Sequence, residues 1–325
     1  MRKIWGYFFS LTWLGVLVGL GVGLFQRMVS WVIGWSQAFL TFSSQAPWLV
    51  LVLASLLGLG AYWIGQKEPS AKGSGVPFLE HSLEEHLPFR YWRTLPMMLI
   101  NCFLSFFGAL PLGSEGPSVL TGGIIGMALT NWRHEAHSDW VAMGAAAGFG
   151  SAFLSPLAGW VYCIEETLES FRWRVAMQMA YVALVSWGMA LLVAPPLHFS
   201  FSMVTPFGYH EIPLLIAIII GSILLGRLFV WVLLHVRDWQ ATHWSQRSRL
   251  IVLLAIFTIS GFIALYVPAI GRSGGSIGIL LEDMPNLGIL IVFLMVRFVM
   301  IVFTANSGAA GGLVFPIFSL GLFYG

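Results

Sequence analysis

The sequence predicts an all-helical protein that crosses a membrane several times. Three observations carry this. The 325 residues are 58% hydrophobic and only 9% charged, where a soluble domain runs about 25% charged. The mean hydropathy is +0.84. The apolar residues fall into long runs, several of them interrupted by Gly and Pro. With 16 Lys and Arg against 14 Asp and Glu, the chain carries too little charge to stay dissolved, and its net charge of +2 gives no basic footprint for phosphate backbones. A soluble enzyme, a disordered tail and a nucleic-acid binder are excluded.

The first run covers 4–34. A signal peptide has an apolar region of about 7–15 residues. This one is far longer, so it is a helix that stays in the membrane. Arg2 and Lys3 flank it and put the N-terminus in the cytoplasm. Gly15, Gly19 and Gly23 recur every four residues, a spacing that lets helices pack closely in lipid. The runs at 46–66 and 93–111 approach the roughly 20 residues that a span needs. The next three, 116–131, 139–152 and 156–168, are too short. Gly122 and Gly126, and Gly144 and Gly148, repeat the close-packing spacing there. Short broken helices are tolerated at membrane depth only inside protein or along a cavity, and they point to a transport site. Longer runs return at 173–195, 211–235, 250–269 and 286–304, and a last one begins at 312. Cys102 and Cys163 sit in apolar runs and form neither a disulfide framework nor a zinc spacing, so they read as inert core thiols. No soluble domain is expected at either end.

A weak internal repeat accompanies these runs. Gly113-Ser114-Glu115-Gly116-Pro117 opens one short helix, and Gly311-Gly312-Leu313-Val314-Phe315-Pro316 opens another. In both, a glycine-rich stretch leads into Pro in the first helical turn, after a long apolar helix. Paired broken helices in two halves predict an inverted-repeat transporter, with halves of about 1–195 and 196–325.

Helix N-termini suit an anion at mid-membrane. Stripping a small ion of water costs tens of kcal/mol in the idealised low-dielectric limit. A full Lys or Arg offsets that but traps the ion, whereas transport needs binding weak enough to release. A helix N-terminus offers free N–H groups and about half a positive charge, and glycine before it lets the ion approach the backbone. Three segments fit. In Lys72-Gly73-Ser74-Gly75-Val76-Pro77, Ser74 can cap the helix or turn its hydroxyl to a ligand; alone, the segment is an ordinary capped helix. In the second, Glu115 is a lone carboxylate in an apolar stretch, where insertion costs about 2.5–3.5 kcal/mol. A carboxylate at a helix N-terminus is itself an anion in an anion site. It occupies the site when ionised and leaves when protonated, so it reads as a proton-sensitive gate. The third runs from Asn306 to Pro316, where the N–H groups near Leu313 and Val314 can close the site. Glu165 and Glu166 end a short apolar run; one of them can relay protons toward Glu115, and solvated surface charge is nearly as good a reading.

These motifs resemble the CLC family of chloride channels and proton/chloride antiporters. Gly73-Ser74-Gly75-Val76-Pro77 is similar to the family's GSGIP, and Gly113-Ser114-Glu115-Gly116-Pro117 to its G-[KR]-E-G-P with Ser114 in place of the basic residue. The stretch from Gly144 through Ser155-Pro156-Leu157-Ala158-Gly159 to Glu166 resembles the segment carrying the internal proton glutamate. Asn306 to Pro316 resembles GSGAPGGIFAP, with Ala310 for Pro and Val314 for Phe. The four motifs occur in the family's order and the likeness covers nearly the whole chain.

The resemblance implies an all-α, inverted-repeat membrane domain over 1–325 with no cytosolic regulatory domain. It implies Glu115 as the gating glutamate and Glu166 as the proton-transfer glutamate found in antiporters. Gly73, Ser74, Gly75, Gly116, Leu313 and Val314 are implied as anion-binding residues. Serine at 74 is similar to chloride-selective members, where proline favours nitrate. The expected activity is proton-coupled chloride antiport, not enzymatic, with chloride and protons as cargo, no cofactor, and a bacterial inner membrane as the setting. A homodimer is compatible with it. Passive chloride conduction is the alternative. Because the family's membrane domain continues through further helices, one bearing an anion-holding tyrosine, a truncated subunit that needs a partner fragment is the other alternative.

Other matches are set aside. Gly274-Gly275-Ser276-Ile277-Gly278 fits G-x-S-x-G, but that motif needs an α/β sheet. His81, Glu84, Glu85 and His86 miss both zinc-helix spacings, and His134, His137, Glu135 and Asp139 read as solvated charge. Arg297 lies inside an apolar run, where it is expected to snorkel or to pair within the bundle.

Overall fold

A computed structural model describes residues 2–79, 91–133, 137–166, 172–194, 208–271 and 286–324. The fold is all-α. Helix α1 covers Arg2–Ser43 and α2 covers Trp48–Lys67; α3 is the turn at 76–79. Then come α4 (Tyr91–Phe107), α5 (Glu115–Arg133), α6 (His137–Ala152), α7 (Pro156–Glu166) and α8 (Trp173–Val193). The second part holds α9 (Ile212–His243), α10 (Gln246–Tyr266), α11 (Pro268–Gly271), α12 (Leu287–Ala305) and α13 (Val314–Tyr324). Among the described residues, six helical stretches are long and apolar enough to cross a membrane, from Gly6–Ser43 to Leu287–Ala305. Large apolar side chains such as Trp35, Leu56, Trp231 and Ile251 stand exposed around the outside, as lipid contact requires.

The short helices form the centre. Most described side chains of α5 and α6 are buried, and neither helix is among the candidate spans: α6 is too short at 16 residues, and α5, at 19, is not apolar enough. They pack backbone to backbone. A Cβ on Gly122 would run into the carbonyl of Gly144, one on Gly126 into that of Trp140, and one on Gly148 into that of Ser118. The every-fourth glycines of α1 do the same work against α8: Gly15 meets Val182 and Val185, Gly19 meets Ser186, and Gly23 meets Ala190. Around them Leu11, Leu14, Val18 and Val22 of α1 form a buried cluster with Met143 and Val182. Several polar groups inside find partners across the bundle, as lipid demands: Ser151 and Ser186 hydroxyls meet at 2.6 Å, and Trp160 Nε1 donates to the Ala176 carbonyl at 2.8 Å.

Helix ends differ from the apolar runs where hydropathy and backbone geometry part company. α1 continues past 34 to Ser43, and α9 continues past 235 to His243. Ser, Gln and Thr end the apolar stretch without breaking the i to i−4 ladder, and no Gly or Pro intervenes to stop it. The 42 residues of α1 span about 63 Å, twice the roughly 30 Å hydrocarbon layer, so the helix tilts or projects.

Arg297 of α12 does not snorkel. It is 1% exposed, donates through Nε to Ser319 Oγ at 3.2 Å and through Nη1 to the Ile270 carbonyl, and pairs with no carboxylate among the described residues. Cys102 is buried, as expected; the Cys163 side chain and the stretches holding His81 to His86, His134 and Gly274 to Gly278 lie outside the described residues.

Candidate anion site

Each of the three glycine-bearing loops leads into a helix start, and the backbone stitches all three together. Gly73 N–H donates to the Ala309 carbonyl at 3.1 Å, and Gly311 N–H donates back to the Gly73 carbonyl at 2.9 Å. Gly113 and Gly312 exchange both bonds, Gly113 N–H to Gly312 O at 2.8 Å and Gly312 N–H to Gly113 O at 2.6 Å. The first pair is a parallel bridge and the second antiparallel. Asn101 of α4, wholly buried, fastens the same region from behind: its Nδ2 donates to the Ala71 carbonyl at 2.8 Å and to that of Gly308 at 3.4 Å.

The two later loops have the same register. Gly113 and Gly312 pair; Ser114 and Leu313 precede the helices; Glu115 and Val314 open them; Pro117 and Pro316 stand at the third position. In both, the residue before the helix already accepts an intrahelical bond, from Ser118 N–H at 3.1 Å and from Ile317 N–H at 2.9 Å. Pro costs nothing there because first-turn N–H groups have no intrahelical partner. A reciprocal bond pair between equivalent glycines is what a local two-fold axis produces, so the repeat read in the sequence is a feature of the fold.

Glu115 sits at the junction. It is 1% exposed. Its Oε1 accepts a hydrogen bond from Phe315 N–H at 3.0 Å, and its Oε2 has no partner among the described protein atoms. The carboxylate folds back over Gly113 and Gly312, where a Cβ at either position would collide with it. Ser74 lies on the other side: a Cβ on Gly116 would come within 2.6 Å of the Ser74 Cβ and 2.8 Å of its carbonyl oxygen. Ser74 Oγ accepts a long 3.4 Å bond from Val76 N–H. Gly73 and Gly75 carry φ of +62° and +73°, which only glycine adopts without strain, and they turn the chain on both sides of Ser74.

Thus Gly73, Ser74, Gly75, Gly116 and Leu313 lie on the loops and helix starts that meet at Glu115. The N–H that engages the carboxylate is that of Phe315, the residue after the Leu313–Val314 pair whose N–H groups are expected to face the anion. Helix α13 starts at Val314, so Phe315 is its second residue and its N–H is one of the free donors. Ser114 hands its hydroxyl to Gln26 of α1 at 2.9 Å. Glu166 is the last residue of α7, with its side chain outside the described atoms, and Glu165 beside it is exposed.

One arrangement had no sequence signal. Tyr162 of α7 stacks on Phe149 at 4.4 Å between ring centres, Phe149 lies 4.7 Å from Phe153, and Phe153 lies 5.4 Å from Phe315. This column of rings joins the helix that ends in Glu166 to the residue whose N–H holds Glu115. Aromatic residues scattered over 149–162 and at 315 have no shared spacing that could have announced it.

A family model described as voltage gated chloride channel matches residues 57–325. The chain belongs to this family. The H(+)/Cl(-) exchange transporter ClcA of Cronobacter sakazakii is 33% identical over 336 residues, covering 97% of this chain and 70% of that protein. ClcA of Salmonella typhi is 30% identical over 334 residues, with 98% and 70% covered. The fold is similar to that of a slow cyanobacterial Cl-/H+ antiporter, with a TM-score of 0.84 at 22% identity over 96% of this chain and 78% of that one. It is also similar to a CLC-type fluoride/proton antiporter, with a TM-score of 0.78 at 19% identity over 98% and 80%. Membership explains why the three loops close on one point: the family fold brings these segments together from distant parts of the chain.

Proposed function

We propose that this chain exchanges chloride for protons, with Glu115 as the gate. The observation that carries the proposal is the bond from Phe315 N–H to the Glu115 carboxylate at the meeting point of the three loops. An ionised Glu115 holds the donor that chloride needs. A protonated Glu115 loses its attraction for the helix N-terminus and releases that donor. Proton and chloride thus favour the same state, which is the reciprocal linkage that exchange requires. The names of the relatives as H(+)/Cl(-) exchangers support the same reading.

In this proposal Gly73, Ser74, Gly75, Gly116, Leu313, Val314 and Phe315 form the chloride site. Backbone N–H groups and the Ser74 hydroxyl replace part of the ion's water without a full cation to trap it. Glu166, four residues beyond Tyr162 and so on the same face of α7, delivers protons from the inner side. The aromatic column gives chloride nothing to bind while leaving a path for protons carried by water, so the two cargoes part after Glu115. The chain works in a bacterial inner membrane with its N-terminus inside, as two membrane halves of about 1–195 and 196–325. It needs no cofactor, and its lipid-facing surface leaves room for a second copy. The test is chloride efflux from proteoliposomes with pH recorded alongside. Proton uptake driven by the chloride gradient and abolished in Glu115→Gln supports exchange. Chloride flux without proton movement points to a passive channel, and no flux from folded protein to a subunit that needs a partner.

A further inference from the structure

A second concentration of charge lies where the first and third loops begin. A cavity of about 210 Å³ is walled by Lys72, by Arg237 and Gln240 at the end of α9, by Gln246 and Arg249 at the start of α10, and by Ser307. No carboxylate is among its described lining residues. Arg237 Nε meets its neighbour Asp238 at 3.2 Å, in an exposed pair. Lys72 and Arg249 line the same cavity and pair with no carboxylate among the described residues; burial and then the Arg249 charge hold the Lys72 ammonium below the usual lysine range. The stem of Lys72 is fixed: a Cβ on Gly65 would stand 3.3 Å from its Cγ, and one on Gly308 3.6 Å from its Cδ.

Two cations lining one cavity with a third at the rim repel one another, and in isolation that arrangement is unfavourable. An anion reverses the sign. A lone chloride satisfies one cation and fills a small part of the space. A tetrahedral oxyanion presents several acceptors at once, accepts paired bonds from a guanidinium, and finds amide donors from Gln240 and Gln246 in the same wall. Position matters too. Lys72 immediately precedes Gly73, and Gly308, also in the wall, immediately precedes Ala309; Gly73 and Ala309 are hydrogen-bonded to each other. An occupant therefore stands directly behind the loop that presents Ser74.

We infer that this cavity binds a phosphate-class oxyanion, supplied as free phosphate or as a lipid phosphate headgroup, and that its occupancy obstructs chloride on the Ser74 side. The obstruction rests on the proposed transport; the binding does not. The binding arm therefore uses purified protein in detergent and chloride-free gluconate buffer, titrated calorimetrically with inorganic phosphate. The expected result is saturable binding that weakens by about 30-fold or more in the Lys72→Met, Arg249→Gln double variant, with Arg249→Lys between the two. Unchanged phosphate affinity in a double variant that elutes and melts as a folded protein overturns the site. The flux arm uses phosphatidylcholine proteoliposomes with phosphate on one side, and separately phosphate-free vesicles doped with phosphatidate. Inhibition by free phosphate, by phosphatidate or by both, relieved in the double variant, supports the obstruction and identifies the source. Binding without inhibition in a protein that transports chloride overturns the obstruction. A protein that binds phosphate but moves no chloride under any condition refutes the transport reading and leaves the site standing.

Discussion

Phe315 N–H donates to the Glu115 carboxylate at 3.0 Å, across 200 residues of chain. The two residues belong to equivalent loops, so one half-helix start places its side chain on the N-terminus of the other. A charge-assisted bond of this kind contributes about 1.5–3 kcal/mol, and the second carboxylate oxygen has no partner to add to it. The hold is firm enough to define a closed state and weak enough for a proton, or an incoming anion, to break.

This geometry fixes the sign of the pH dependence. Protonation neutralises Glu115 and frees the Phe315 donor, so chloride flux rises as pH falls. Above the pKa of the carboxyl, each unit of acidification raises the protonated fraction about tenfold. Glu115→Gln removes the titrating group, and its flux is expected to be flat across the same range. Stopped-flow or electrode recordings of chloride efflux from about pH 4 to about pH 8, a range wide enough to hold the titration of a normal or a raised carboxyl, decide it. A wild-type profile that rises with pH contradicts the gate.

Gly116 is where Ser74 and the Glu115 helix touch. Gly116→Ala puts a methyl 2.6 Å from the Ser74 Cβ and 2.8 Å from its backbone oxygen. The loop bearing Ser74 must move, and overpacking of this kind costs about 1–3 kcal/mol. Chloride affinity is expected to fall about tenfold in isothermal titration, while Gly34→Ala, with open space around it, changes nothing.

Much of this site was legible because its parts are short contiguous motifs. Each loop needs glycine for close approach and a helix start for donors, and both requirements are local; Gly73 to Pro77 and Gly311 to Pro316 say little singly, but together with the lone carboxylate of Gly113 to Pro117 they mark the site. The repeat was legible for the same reason. What was not legible depends on distance. The partner of Glu115 is set by how α13 is aimed, so only the fold shows that its donor is Phe315 N–H. Asn101 sits mid-helix in an apolar run, and only the fold shows that it ties Ala71 to Gly308. For Arg297 the sequence leaves snorkelling and pairing within the bundle both open, and only the fold decides for the second, because its acceptors, Ile270 O and Ser319 Oγ, come from other segments. Helix length was misjudged at α1 and α9, since hydropathy marks the membrane and not the end of the hydrogen-bond ladder.

Asn101 gives a third prediction. Asn101→Leu keeps the volume roughly and removes both Nδ2 bonds, leaving the Ala71 and Gly308 carbonyls short of a donor. Each buried group so orphaned costs about 1–3 kcal/mol. The variant is expected to melt lower in detergent and to bind chloride more weakly, because the loops on both sides of the site lose their common fastening. A lower melting point with unchanged chloride affinity would show that Asn101 supports the bundle without positioning the loops.

In the proposed exchange, the aromatic column keeps apart two routes that a simple pore would merge. Phe153 lies between Phe149 and Phe315, at 4.7 and 5.4 Å. Phe153→Ala opens space beside Phe315, whose N–H holds Glu115, and lets water, and with it chloride, enter there. Chloride flux is then expected to persist or rise while the protons moved per chloride fall to about half or less, since the ions no longer take separate routes. Phe153→Leu keeps an apolar plug and is expected to stay close to the parent ratio. The reversal potential of reconstituted protein under a chloride gradient reads that ratio directly. An unchanged ratio in Phe153→Ala would mean that the rings only pack, and that the cargoes are kept apart by the Glu115 helix alone.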